Sequence, residues 1–470
     1  MSAPLDLLQR VIAEVAPEKL TGPEDPWLYF YEDFLATYDP KLRKDTGAYY
    51  TPVEVVRAQV RLIDDLLVNR LGKPQGFADP SVVTLDPAAG TGTYLLGVIE
   101  HALARVGSEQ GKGAVAGQAT SLAANLYGFE LMVGPYAVTE LRVSQALRDR
   151  GATLPKDGTH IYLTDTLESP NAVPPALPLI LKPISEQHEK ALQVKKGVPV
   201  LVCLGNPPYD RHEAVDIENS KNLSRYGGWV RFSDEPQGPK TRDKRGKEKT
   251  ITGRRAILEF REKHSILHTA FVQPALTAGH GVHVKNLYNL YVYFWRWALW
   301  KVFEHTTSAG PGIVSFISAS SYIDGDAFSG MREHMRRVCD EIWILDLGGE
   351  GRGTRRSDNV FAIQTPVAIA VTVRTHRPGK NKPARVCYAK IEGSRQAKLA
   401  ALDDIRGFAD TEWQECPNDW QAPVRPAGKG DYCGWPLLVD LMPWQHSGAQ
   451  VKRTWPICPD PDVLTRRWRA

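Results

Sequence analysis

The segment that most constrains this 470-residue chain is Asp86-Pro-Ala-Ala-Gly90-Thr-Gly92. It directly follows an apolar run, Val82–Leu85, and opens a helical pattern, TYLLGVIEHAL. Two glycines at a strand-to-helix turn let backbone approach a ligand closely, and such turns belong to sheets whose strands feed helices. Five further apolar runs read as buried strands: Leu126–Phe129, Val198–Leu204, Ile313–Ile317, Ile342–Leu347 and Val367–Val373. Helical or loop segments separate most of them. That alternation predicts an α/β fold, doubly wound around a mostly parallel sheet. A helix is expected from Pro52 to about Leu71, and short helices before residue 45. The Gly-rich segment Gly107–Gly117 and the Pro-rich segment Ser169–Pro183 read as surface insertions.

Composition serves mainly to exclude. A hydrophobic share of 42% with 24% charged residues rules out wholesale disorder. The longest near-apolar stretch, Leu287–Trp300, carries Asn289 and Arg296 and is too short to span a bilayer. The N-terminus, MSAPLDLLQR, lacks a secretory pattern, so a soluble, cytoplasmic protein without a membrane partner is expected. The six cysteines form no C-x-x-C pair. Cys416, Cys433, Cys458 and His446 lack zinc-knuckle spacing, so no metal is expected. Net charge is only +4, yet ten Lys/Arg fall between Lys240 and Lys263 against four acids, leaving the rest of the chain at −2. Such a basic loop suits a grip on phosphates, or is simply a solvated loop held open by its own repulsion. Beyond about residue 381 the texture changes, with six of twelve tryptophans in the last sixty residues. A separate C-terminal module over 381–470 is expected; the chain ends inside a helix-like segment, as a truncated module would.

Three ligands compete for the glycine loop. A P-loop needs Gly-Lys-Ser/Thr, and no lysine follows here. A dinucleotide loop wants a third glycine at position 95, which is Leu, and an acid some twenty residues on. S-adenosylmethionine has no pyrophosphate; it brings a sulfonium, an ammonium and a carboxylate, so the acid Asp86 suits it. Glu130, ending LYGFE, sits where a carboxylate can bind ribose hydroxyls, and Asp165, in IYLTDTL, can accept from an adenine amine. Taken singly, Asp86 also reads as a helix-start charge and the other two as loop carboxylates. Their succession after strands of one sheet favours the ligand reading.

A second signal is Asn206-Pro207-Pro208-Tyr209, directly after the strand VPVLVCLG. Two prolines hold the backbone extended and direct carbonyls outward. The Asn206 amide oxygen and the Pro207 carbonyl can then both accept from one planar amine, while Tyr209 offers a face to a base. A third is Thr46-Gly-Ala-Tyr-Tyr50-Thr51-Pro52. Thr51 with Glu54 predicts a capping box with Pro52 at the first helical position, and a helix N-terminus also attracts a carboxylate.

These motifs, in this order, resemble the gamma-arranged N6-adenine DNA methyltransferases, most of all the methyltransferase part of type ISP restriction-modification enzymes and related phage-defence methylases. The resemblance covers roughly residues 45–380 and continues through GIVSFISASSYIDG and DNVFAIQTPVAIAVTVR. It implies a Rossmann-like, S-adenosylmethionine-dependent domain over 46–380, a helical segment over 1–45 and target recognition over 381–470. Asn206, Pro207, Pro208 and Tyr209 are implied as catalytic. Thr46, Gly47, Tyr50, Thr51, Asp86, Ala88, Gly90, Gly92, Glu130 and Asp165 are implied as cofactor-binding. Phe361 matches loosely an aromatic that sandwiches a flipped base, and reads equally well as a core residue. Lys240, Arg242, Lys244, Arg245, Lys247, Lys249, Arg254 and Arg255 become candidates for the backbone of double-stranded DNA. No Walker lysine loop is present, so nuclease and helicase functions are expected on separate partner subunits. RNA or protein-glutamine methylation, and a non-catalytic DNA-recognition subunit, are the competing readings.

Overall fold

The computed structural model describes residues 51–174, 182–209, 223, 226–235, 240–242, 248–305, 310–350, 357–361, 363–375, 381–428, 430–436, 441–442 and 460–469. The helices of more than two turns are α1 Val53–Asn69, α2 Thr93–Glu109, α3 Val115–Asn125, α4 Val133–Arg148, α5 Lys182–Gly197, α6 Arg254–Lys263, α7 Leu290–Leu299, α8 Ser329–Val338, α9 Arg395–Asp404 and α10 Pro461–Arg469. The strands are β1 Thr84–Asp86, β2 Leu126–Glu130, β3 His160–Leu163, β4 Val202–Gly205, β5 Lys240–Arg242, β6 Glu248–Thr250, β7 Gly312–Ala319, β8 Glu341–Gly348, β9 Val367–Arg374, β10 Arg385–Lys390 and β11 Gln414–Glu415.

Nine strands form one sheet in the order β11-β10-β8-β9-β7-β4-β1-β2-β3. Neighbours are parallel except where β9 lies antiparallel to β7 and β8, and β11 to β10. Alternate strand residues divide between two cores because strand side chains point to opposite faces in turn. Val202, Leu204, Ile313 and Ile317 join α1, α2 and α4 on one face. Cys203, Val314 and Phe316 join α5, α7 and α8 on the other. Helices on both faces of a mostly parallel sheet make the doubly wound fold that the apolar runs predicted. In α1 the core face follows helical spacing, with Val56, Val60, Ile63 and Leu67 all buried.

All six expected strands are present, with shifted ends. Three expectations are corrected. Residues 107–117 are the end of α2, a short turn and the start of α3, so they are a helix junction rather than an insertion. The sheet does not stop near 380: β10 pairs with β8 from Arg385↔Glu341 to Lys390↔Asp346. One compact unit accordingly ends at Pro426, and a second comprises Ala427–Ala470. Trp413 belongs to the first, packed edge-on against Trp343 with ring centroids 5.1 Å apart. In the second unit, α10 carries Arg466, Arg467 and Arg469 in its last turn.

The third correction concerns the basic segment. Its ends pair as a hairpin, Lys240↔Thr250 to Arg242↔Glu248, and its continuation is the helix α6. Among the described residues, no helix is long and apolar enough to cross a membrane.

Candidate active site

Chain order along the sheet reverses between β1 and β4, and doubly wound folds bind ligands at the carboxyl ends of strands beside such a switch point. Each sequence-singled acid within the described residues lies there. Asp86 ends β1 and is 1% exposed; its Oδ1 accepts from the Ala88 N–H at 3.0 Å. Glu130 ends β2 and braces the glycine loop: Oε2 accepts from the Gly90 N–H at 2.9 Å and Oε1 from the Met132 N–H at 2.8 Å. Asp165, just past β3, accepts from the Leu167 N–H at 2.9 Å.

Gly90 and Gly92 have φ of 55° and 85°, the left-handed region that favours glycine. A Cβ at Gly92 would also sit 3.0 Å from the Thr139 methyl. At the end of β4 a Cβ on Gly205 would lie 2.7 Å from Asp86 Oδ1, so glycine lets the Asn206 turn pass close to that acid.

Burial pushes the Asp86 carboxyl up to about 7, the Ala88 N–H opposing this and the Glu130 charge adding to it. Burial likewise pushes Glu130 up to about 7, against the N–H groups of Met132, Gly90 and Leu131. Among the described residues, no cationic side chain offsets the burial of either acid.

Asn206 is held at both ends of its amide. Its Nδ2 donates to Thr51 Oγ1 at 3.0 Å, and its Oδ1 accepts from the Tyr209 hydroxyl at 2.5 Å. That hydroxyl also lies 3.0 Å from the Ile317 carbonyl of β7. This corrects the capping-box expectation. Pro52, not Thr51, is the N-cap of α1, and no side chain caps the helix. Thr51 is turned inward, 6% exposed, because its hydroxyl has a partner in Asn206.

Several contributors carried no sequence signal. Thr139 Oγ1 donates to the Gly90 carbonyl at 2.5 Å, and Thr166 donates to the Pro87 carbonyl, tying the glycine loop to the segment after β3. Lys195, fully buried on α5, donates to the Asp165 carbonyl at 2.6 Å. Tyr94 donates to Gln59 Oε1 at 2.9 Å, and Gln59 Nε2 donates to Ser315, joining α2, α1 and β7 under the site. Tyr291 meets Tyr209 edge-on at 6.3 Å. It also lines a cavity of about 680 Å³ shared with Ser321, Asp324, Asp326, Phe328 and Asp346.

One other expected residue, Phe361, is not brought to this site. Phe361 is 5% exposed within one core cluster, so as placed it presents no free face to a base. Thr46, Gly47, Tyr50, Lys244, Arg245 and Lys247 lie outside the described residues. Lys240 and Arg242 sit on β5 and Lys249 on β6. Arg254 and Arg255 open α6, where Arg255 pairs with exposed Glu259 at 3.1 Å.

No curated protein matches the sequence. Among solved structures, the chain is similar to that of the DrdV–DNA complex, at 24% identity and a TM-score of 0.59, covering 84% of this chain and 32% of that one. It is also similar to the ATP-dependent type ISP restriction-modification enzyme LlaBIII bound to DNA, at 21% identity and a TM-score of 0.60, covering 80% and 22%. A nuclease-deletion mutant of the type ISP enzyme LlaGI, in complex with a DNA substrate mimic, matches at 19% identity and a TM-score of 0.60, covering 86% and 29%. The chain therefore spans a third or less of the length of these proteins, with which it shares a fold. Residues 27–235 match the family model described as N-6 DNA Methylase. That stretch contains the glycine loop, the three acids and the Asn-Pro-Pro-Tyr turn, and over it the chain is similar to that family.

Proposed function

We propose that this chain transfers a methyl group from S-adenosylmethionine to the N6 amine of an adenine turned out of double-stranded DNA. The observation that carries this reading is the Asn206 amide, fixed at the end of β4 beside two buried acids that meet no cationic side chain among the described residues. Asp86 suits a ligand that brings positive charge, Glu130 its ribose hydroxyls, and Asp165 an adenine amine. Once bound, the cofactor supplies the methyl: an N–C bond forms as the C–S bond breaks, sulfur keeps the electron pair and one N6 proton is lost to solvent.

The chain's own part is orientation. Asn206 Oδ1 and the Pro207 carbonyl accept from the amine, drawing its lone pair off the ring and aiming it at the methyl. Tyr209 offers aromatic surface for the base, and the 680 Å³ cavity lined in part by Tyr291 is within the range that holds a nucleotide-sized ligand. The setting that fits is restriction-modification or phage defence, with cutting and translocation supplied by partner subunits. Hairpin β5–β6 and α6 supply cationic residues for the DNA backbone.

The test is transfer of isotopically labelled methyl groups to DNA, RNA and protein offered separately. Label in DNA recovered as N6-methyladenine supports the proposal. Label only in RNA or in protein glutamine moves the chain to another substrate class, and absence of both transfer and cofactor binding favours a non-catalytic recognition subunit.

A further inference from the structure

We infer that Thr51 is a positioning residue for methyl transfer: its hydroxyl holds the nitrogen end of the Asn206 amide so that the oxygen end faces the target amine. The inference rests on the methyl-transfer reading above and assigns Thr51 a task other than holding cofactor. A carboxamide has one end that accepts and one that donates. Only Oδ1 can accept from an adenine amine; the opposite orientation sets donor against donor. The end that faces the substrate therefore decides whether Asn206 can act at all.

In this structure Thr51 holds the nitrogen end. It lies 155 residues from Asn206 in sequence, yet its Oγ1 is 3.0 Å from Asn206 Nδ2. At 6% exposure, little water competes for the contact. It directly precedes Pro52, whose φ of −53° and ψ of 138° carry the chain into α1. That helix is anchored by Val55 and Val56, both fully buried, and by Gln59, whose Nε2 donates to the Ser315 carbonyl at 2.9 Å. The hydroxyl is thus mounted on a packed helix, where a supporting group must sit if it is to fix a reacting one.

The other end of the amide is arranged for release. The Tyr209 hydroxyl has one proton and two acceptors in reach, Asn206 Oδ1 at 2.5 Å and the Ile317 carbonyl at 3.0 Å. Rotation of that proton toward Ile317 frees Oδ1 for an incoming amine without moving the ring. Thr51 keeps its bond to the nitrogen end while this exchange occurs.

The experiment compares Thr51→Val, which removes the hydroxyl at similar volume, with Thr51→Ser, which keeps it. The readouts are kcat, KM for DNA, the calorimetric dissociation constant of S-adenosylmethionine, and 2-aminopurine fluorescence at the target position. Thr51→Val should lower kcat about tenfold to a hundredfold, the effect of removing one hydrogen bond from a buried pair. Cofactor affinity, KM and the base-extrusion signal should stay within about twofold, and Thr51→Ser should restore kcat to within about threefold of wild type. If Thr51→Val melts too low to assay, Thr51→Ala is read in its place with the same expectation. A wild-type kcat in the hydroxyl-free variant overturns the inference. So does a weaker cofactor affinity with unchanged kcat, which would place Thr51 on the cofactor alone. Absence of methyl transfer to DNA by the wild-type chain would instead overturn the underlying proposal.

Discussion

Carboxylates in two regions of this molecule are treated in opposite ways. Glu304, after α7, is clasped by Arg296 at 2.6 and 2.7 Å and by the His334 ring at 2.9 Å. Burial alone would raise its carboxyl, but the Arg296 charge and the hydrogen bonds from His334 and Arg296 outweigh that and hold it well below the usual carboxylate range. Asp86 and Glu130 are set much deeper, at 1% and 8% exposed, receive backbone N–H groups, and are pushed up to about 7. The paired acid is a latch between helices α7 and α8. An acid that burial raises and no side-chain cation lowers gains most from a ligand bringing positive charge.

The sharpest way to break this contrast is to remove the cation from the latch. Arg296→Met should cost about 2–4 kcal/mol of stability, because it removes the buried guanidinium's hydrogen bonds to Glu304 and to the Ile266 carbonyl. Asp86→Asn should change stability by less than about 1 kcal/mol, since it removes a charge that burial disfavours. Urea unfolding of both variants checks the pair, and equal destabilisation would erase the distinction.

Next in size is Asn206→Ala. It should lower turnover by about 10²–10³ while leaving the dissociation constant of S-adenosylmethionine within about twofold, because Asn206 serves the target amine. Turnover within about threefold of wild type would remove Asn206 from the chemistry. Asp86→Ala should do the reverse, weakening cofactor binding by about 1.5–3 kcal/mol in calorimetric titration. An unchanged constant in a folded variant would return Asp86 to the role of a helix-start charge.

The contrast also has a pH signature. Asp86 and Glu130 titrate near 7 in the folded chain, above ordinary carboxylates, so the folded chain keeps protons the unfolded one has released between about pH 4 and pH 7. Their contribution to stability therefore falls as pH rises through that window. Glu304 runs the other way: its folded value is depressed, so its contribution is present above the ordinary glutamate range and is lost as pH falls through it. Cofactor affinity should rise from pH 6 to pH 8 with protons released, by at most about tenfold per pH unit for each group. Calorimetry in two buffers of different ionisation enthalpy measures the release, and a flat profile would mean that neither acid meets a cation.

The smallest expected effect concerns DNA. Replacing Lys244, Arg245, Lys247 and Lys249 by Gln should weaken specific and nonspecific DNA about equally. It should also flatten the log–log salt dependence by roughly 0.9 for each phosphate that is no longer neutralised. An identical slope would leave the basic segment as a solvated appendage.

Much of the site was legible because its chemistry is local in sequence. Asp86, Gly90, Gly92 and Asn206 each sit at the end of an apolar strand or in the turn after it, and the sheet carries those ends to one edge. What stayed hidden depends on interactions between distant segments. Thr51 satisfies every sequence criterion for a helix cap and yet serves Asn206. Lys195 reads as one more charge in a lysine-rich helix, but it is buried against the segment after β3. The domain boundary was misread for a related reason. The change of texture beyond about residue 381, with its late tryptophans, suggests a new module, whereas β10 continues the sheet and Arg336 bonds the Ala422 carbonyl at 2.8 Å.

The most direct test of the whole account is mass-spectrometric nucleoside analysis of double-stranded DNA incubated with the purified chain and isotopically labelled S-adenosylmethionine. The account predicts labelled N6-methyladenine from the wild-type chain and at least about a hundredfold less from Asn206→Ala. Label on cytosine, or equal labelling by both proteins, would contradict it.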